Sequence, residues 1–579
     1  MRPKLLPEHC VALLVLLGLL AAAPVASAPL PEASPLRVHG VAGGLPSSRV
    51  DAITQDRAGY LWLATGDGLA RFDGLGFQVW RHVPGQPGAL PGNAVRDVAI
   101  DSDDGVLVAV EGHGRWRLDA ARRRFEPVPS PAPSPRIAAP SLVDREGQRW
   151  WGDEHGLWRG PAGGGAGARR FWPGAVLAIF EDREGGLWFG TREHGLLSLP
   201  PAWASFGFLP GQSPVGRLAA AGGGDAWWLD GAALWRVSLA EGRRMPVVVR
   251  PALPSEEPTA LAAGPGGALL VAQGRRLWRL VPEAGGFRRE PLAEAPWVVS
   301  RWLQAADGGL WAQGPRAALH WSPGAGTARR VALAGPIWPG PDGQPWQLSP
   351  AGLARWHPED AAFVPVAGAP GGDWRVLLAD PDGQAWLAGP ARLAGLHWRD
   401  GRLWPQHHFG AAEGVPAVID LQLARDPGGA LWLGSPRGLW RLDPGRGGLR
   451  RFGTGDGMLV QELGEGGLVV DAAGHGAALS ARGLQLFDTR RLDRRALAPP
   501  PITLESLRLR RAGRELSLPP DTTLLRLGPE DHDLRVVARL LSFVEPAAHR
   551  YRFRLDGYDP GWVEVGPPGE RVFPRLAPG

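Results

Sequence analysis

A phrase that returns about every 40 residues constrains this chain more than any other feature, because such a period marks one supersecondary unit copied along the sequence. The phrase reads Asp-x-x-Gly-(x)-Leu-Trp-x-Gly-Thr-x-x-Gly-Leu. Its clearest copies span residues 56–69 and 182–196, and a third runs from Asp426 through Trp432 to Leu442. Weaker copies centre on Leu107, Trp151, Trp228, Leu270, Trp311, Trp346, Trp386 and Ala478. Together they make about eleven units between residues 38 and 492.

Each part of the phrase has a physical purpose. Asp-x-x-Gly supplies an aspartate that bonds nearby backbone and a glycine that accepts positive φ, the chemistry of a tight turn. Leu61 to Thr65 then alternates as a strand does, with a tryptophan large enough to fill the space between neighbouring sheets. Thr-x-x-Gly-Leu turns the chain into a third strand, and Phe77 to Trp80 supplies a fourth. Four antiparallel strands per repeat make a propeller blade, which cannot bury both faces alone and stacks around an axis. The expectation is an all-β fold with two β-propellers, at 38–255 and 256–492, since rings usually close with four to eight blades. Between about 215 and 400 the units have lost the threonine and often the aspartate, which blurs their blade boundaries.

The 83 glycines and 59 prolines fall on the turn positions of the repeat, and 27 tryptophans give it core material. A formal charge of +5 over 579 residues is dilute and makes no case for nucleic acid. Arg2 and Lys4 precede an apolar stretch from Val11 to Ala23 and then Ala26-Ser27-Ala28, the layout of a signal peptide at 1–28. Cys10, the only cysteine, lies in that leader, so a mature chain would have neither disulfide nor thiolate metal site.

After Leu492 the pattern stops. Residues 493–501 end in three prolines and read as a stiff linker. Strand-like runs follow from 502, and Tyr551-Arg552-Phe553-Arg554-Leu555-Asp556-Gly557-Tyr558-Asp559-Pro560-Gly561-Trp562 is the most distinctive phrase among them. The repeats resemble the regulator-propeller repeats of periplasmic sensors in two-component and related bacterial signalling proteins. The segment 502–579 is similar to the Tyr-rich, Ig-like β-sandwich that follows such propellers, here incomplete. The resemblance implies an extracytoplasmic sensor region, periplasmic and tethered to the inner membrane. Its output domain would be a histidine kinase or a diguanylate cyclase lying beyond this chain. It also implies a homodimer formed through the sandwich and a small-molecule ligand, with carbohydrate the class for some relatives.

Candidate ligand-binding residues lie on two sets of loops. His113, His155 and His194 sit between the second and third strands of their blades, as His475 is expected to, on the face where propellers usually bind ligands. Arg49, Asn93 and Arg96 sit where the chain enters the innermost strands of the first two units, from the same side. Asp101-Ser102-Asp103-Asp104-Gly105 resembles the opening of a calcium loop but lacks the downstream glutamate, and it coincides with the repeat's own turn. His407-His408 has no carboxylate or cysteine at ligand spacing. No nucleophile elbow, phosphate loop, zinc motif or kinase motif occurs, so neither a catalytic residue nor a cofactor is expected. The competing reading is a secreted propeller lyase or hydrolase, some of which use similar Gly-x-Leu-Trp repeats.

Overall fold

The computed structural model describes residues 35–119, 122–129, 139–162, 167–418, 421–493, 500–519, 522 and 524–576. The expected leader at 1–28 and most of the linker at 493–501 lie outside them. Among the described residues, nine four-stranded sheets and one eight-stranded sheet account for residues 37–488. The eight-stranded sheet consists of two four-stranded meanders. They join where Val248–Arg250 of one pairs parallel with Gly286–Arg288 of the other. The protein is all-β, with short antiparallel hairpins throughout, as the period-2 alternation and Gly/Asp punctuation dictate.

The turn chemistry closes a small hydrogen-bonded unit in each well-kept repeat. One oxygen of Asp56 accepts the backbone N–H groups of Gly59 and Tyr60, both at 2.9 Å, and the other accepts the indole N–H of Trp62 at 2.8 Å. Asp144 with Trp150, Asp182 with Trp188 and Asp426 with Trp432 repeat the indole bond at 2.7–2.9 Å. The aspartate therefore shapes the turn and also satisfies the one polar atom of a tryptophan that is otherwise taken out of water. Trp62, Trp188 and Trp432 are buried between strands, as their place in the phrase implies. The threonine works similarly: the Thr65 hydroxyl donates to the Gly68 carbonyl at 2.7 Å and accepts the Asp67 N–H at 3.2 Å. Gly68 itself has φ +120°, and a Cβ there would meet the Trp80 carbonyl oxygen at 2.4 Å.

Where the repeat has decayed, the aspartate is gone and the indole is orphaned. Trp228 and Trp311 are fully buried, but Gly222 and Ala305 stand six residues before them in place of aspartate. Their indole nitrogens have no acceptor among the described residues. A buried donor left unsatisfied costs about 1–3 kcal/mol, so these blades depend more heavily on apolar packing.

The chain forms two compact units. One comprises residues 204–451 and 460–490; the other comprises 34–203, 452–459 and 491–579. In the first, seven sheets are arranged in a closed ring, each first strand neighbouring the next. These strands are Gly216–Gly222, Pro258–Ala263, Arg301–Gln304, Ile337–Pro339, Val376–Ala379, Gln422–Arg425 and Leu463–Val470, the last returning to the first. The ring is sealed by Phe206–Pro210, which pairs with Gly483–Asp488 as the outermost strand of the last sheet. The division anticipated at 255/256 falls inside this unit, between two sheets that hydrogen-bond to each other. The structure instead divides the chain at 203/204, because the sealing strand pairs with residues more than 270 positions away, which no local pattern reports.

In the second unit, four sheets span residues 37–199, and Arg37–His39 supplies the fourth strand of the sheet built by Val176–Glu181, Leu187–Thr191 and Leu196–Leu199. The C-terminal part adds a four-stranded sheet of Ile502–Arg511, Arg514–Leu518, Asp531–Leu540 and Glu570–Phe573, and a ribbon pairing Tyr551–Phe553 with Val563–Val565. Tyr551 is buried, and its hydroxyl accepts the Leu540 N–H at 3.1 Å.

His39 reports on the sealing strand. Its Nε2 lies 3.0 Å from the Ser198 hydroxyl, and its ring packs against Phe72 and Trp188. Burial, with a smaller contribution from the Arg37 charge, pushes its pKa down to about 4. Between that value and the ordinary pKa of about 6.5, the unfolded chain binds more protons than the folded one. The stabilisation is therefore complete above about pH 6.5 and declines as the pH falls towards 4. Urea titrations at pH 7 and pH 4.5 should show a loss of stability that is smaller in His39→Gln; an equal loss in both proteins would exclude His39 as its source.

Candidate functional site

Among the described residues of the repeat sheets, two places gather polar groups that the repeat itself does not require. The first lies in the four-sheet unit and contains two of the residues singled out from sequence. The first strands Val50–Gln55 and Val95–Ile100 each shift register at their second residue, so that Asp51 and Arg96 are bulged out of the ladder. Arg49 donates to both Asp51 oxygens at 2.8–3.0 Å, and Arg96 reaches the same carboxylate at 3.0 Å. Arg96 also pairs with Glu111 at 2.5–3.0 Å. The result is an alternating chain Arg49–Asp51–Arg96–Glu111 in which Asp51 is buried and the outer members reach solvent. The Asp51 hydrogen bond raises the pKa of Arg49.

The charges in this chain balance, so its residual donors suit a neutral polar ligand better than an ion. Asp51 and Glu111 were not singled out from sequence. The available signal was opposite charge at neighbouring bulge positions of consecutive repeats, Asp51 in one and Arg96 in the next.

The other sequence candidates are not drawn into that cluster. Both ends of the Asn93 amide are occupied, the oxygen by the His82 N–H at 2.7 Å and the nitrogen by Asp67 at 3.0 Å, so the residue ties two turns together. His113 is exposed next to the cluster, with Nδ1 2.9 Å from the Glu111 carbonyl. His155 is exposed beside Glu154, and His194 packs edge-on against Trp172 with centroids 5.1 Å apart. His475, expected on the same loops, instead opens a second strand and is buried against Asp471, taking the place of the absent tryptophan as that aspartate's partner. The carboxylate of Asp101 accepts the N–H groups of Asp103 and Gly105 and a hydrogen bond from Arg117, which is the repeat's turn geometry. His407 stacks on Trp386, centroids 5.8 Å apart.

The second place is the centre of the seven-sheet ring, an open cavity of about 520 Å³ lined by the first strands, a volume within the ~300–1,000 Å³ range of small-molecule sites. Ala, Leu and Val make up about half of its wall, and Arg217, Arg301, Glu465, Ser300 and Gln304 are its polar side chains. The Arg217 guanidinium donates to the carbonyls of Thr259 and Gly216 at 2.8 and 2.7 Å. Arg301 lies 3.3 Å from the centroid of the Trp338 ring. Burial lowers the pKa of both arginines, that of Arg301 to about 10, while the charge of Glu465 opposes the shift in each. At that value Arg301 remains cationic at neutral pH. Sequence reading missed this site because no shared motif marks the first strand of a repeat, and Arg217 and Arg301 sit in the degenerate units.

Residues 44–67 and 171–193 match the two-component regulator propeller family. The fold is similar to that of the extracellular domain of the hybrid two-component system BT3049 from B. thetaiotaomicron. That likeness has 15% identity and a TM-score of 0.63, and it covers 94% of this chain and 96% of the other. The extracellular domain of BT4673 from the same organism aligns at 13% identity over 94% of this chain and 95% of the other, with a TM-score of 0.38. No curated protein matches the chain in sequence.

Proposed function

We propose that this chain is the extracytoplasmic ligand-binding region of a bacterial transmembrane signalling receptor, passing ligand occupancy to a histidine kinase or diguanylate cyclase. The observation that carries the reading is the cavity at the centre of a closed seven-sheet ring, lined by apolar side chains and a few charged ones. The regulator-propeller segments and the likeness in fold support it. Residues 502–576 would link the sensor to a membrane span and serve as a dimer contact. Among the described residues, no helix is long and apolar enough to cross a membrane.

A ligand shifts a receptor between two arrangements only by binding one of them more tightly. The test joins the chain through its C-terminus to a membrane span and a histidine kinase of known output. Compounds that raise the melting temperature of the purified chain should change kinase output in the fusion. Stabilising compounds that leave output unchanged would remove the sensor reading, and turnover of a glycan by the purified chain would favour a secreted lyase or hydrolase.

A further inference from the structure

Resting on that reading and narrowing it, we infer that the central cavity of the seven-sheet ring binds a small organic carboxylate with a compact apolar body, held by Arg301 and Arg217. The charge count comes first. Two arginines and one glutamate line the cavity, an excess of one positive charge among its lining residues, with the charge of Glu257 also reaching Arg217. That excess suits a monoanion such as a carboxylate, whereas a phosphate monoester carries about −1.5 to −2 at neutral pH. The guanidinium fork matches a carboxylate in shape and donates two parallel hydrogen bonds to it. Arg217 spends two donors on the carbonyls of Thr259 and Gly216, which fixes the side chain in place and leaves further N–H groups available.

The wall then sets the body of the ligand. Leu261, Ala262, Leu378 and Ala379 are the half-buried aliphatic residues along the wall, where a sugar would need several hydrogen-bonding partners. Trp338, the aromatic ring in the wall on which a sugar could stack, is already covered by Arg301 at 3.3 Å. Such a stacked guanidinium is pre-oriented, so less rotamer freedom is lost when it closes on an anion.

The experiment is calorimetric titration of the purified chain with benzoate and hexanoate, alongside benzamide, inorganic phosphate and maltose. Saturable binding of at least one acid is expected, at least ten-fold tighter than benzamide. Arg301→Gln should weaken that binding ten-fold or more and Arg301→Lys less. Ala263→Trp, which keeps both arginines but fills space from an exposed wall position, should abolish it. The melting temperature of each unliganded variant identifies any that fails to fold, and the remaining variants then decide. Equal binding of benzamide, preference for phosphate or maltose, no saturable binding of either acid up to about 10 mM, or binding that survives both Arg301→Gln and Ala263→Trp would overturn the site. Acid binding lost in these variants without any change of kinase output in the fusion would uphold the site and remove the sensor reading. A different ligand that switches output equally in wild type and Arg301→Gln would do the reverse.

Discussion

Replacing Trp432 by alanine should destabilise the seven-sheet unit by about 3–5 kcal/mol, the usual cost of truncating a buried large aromatic. The ring is fully buried, packs against Phe487 at 5.1 Å, and has its one polar atom satisfied by Asp426 at 2.9 Å. Removing it leaves a cavity and an aspartate that has lost a donor. Asp426→Ala should cost less, about 1–3 kcal/mol, because the indole N–H stays buried without an acceptor while the apolar packing remains. The double variant should cost less than the sum, since the two residues share the bond that each single change already breaks. Denaturant unfolding followed by far-UV circular dichroism measures all three. A loss below about 1 kcal/mol for Trp432→Ala would mean that the repeat tryptophan is not the core residue its burial indicates.

Glu505→Ala should be comparably damaging in the other unit. Glu505 accepts a hydrogen bond from Arg71 at 3.2 Å and forms an ion pair with Arg539 at 2.8 Å, while the Arg539 Nε–H donates to Asp73 at 3.0 Å. This network joins the first repeat sheet to the C-terminal one and lines an open cavity of about 700 Å³. All four side chains are less than one-fifth exposed. Burial raises the pKa of Glu505, and the charges of Arg539 and Arg71 pull against that rise. Removing the carboxylate takes the ion-pair partner from Arg71 and leaves Arg539 with Asp73 and the Pro568 carbonyl. Breaking a buried pair from one side costs about 3–5 kcal/mol, and the partial exposure here places the expectation near the lower figure. Glu505→Gln should cost less, since its amide oxygen still accepts one bond. Limited proteolysis would show cleavage within 502–576 accelerated in Glu505→Ala. Unchanged proteolysis together with unchanged unfolding would show that the network is replaceable by water.

The fold class and the interior of each blade are legible in the primary structure. Asp-x-x-Gly, the Leu-Trp strand and Thr-x-x-Gly are short-range devices: the turn and indole hydrogen bonds of Asp56 and the hydroxyl bonds of Thr65 all close within six residues, so the primary structure contains them. The burial of Trp62, Trp188 and Trp432 followed from the same phrase. Only the tertiary structure decided how the blades divide into rings. The sealing strands Arg37–His39 and Phe206–Pro210 pair across about 160 and 280 residues, and they carry no motif of their own. It also decided the sites. Arg49 and Arg96 were visible as loop residues, but their common partner Asp51 is aimed by a backbone bulge that leaves no mark in composition. Arg217, Arg301 and Glu465 come from strands of three different sheets. A ring brings together residues one repeat or more apart, and the repeat pattern records what each blade needs for itself, not what the blades build between them.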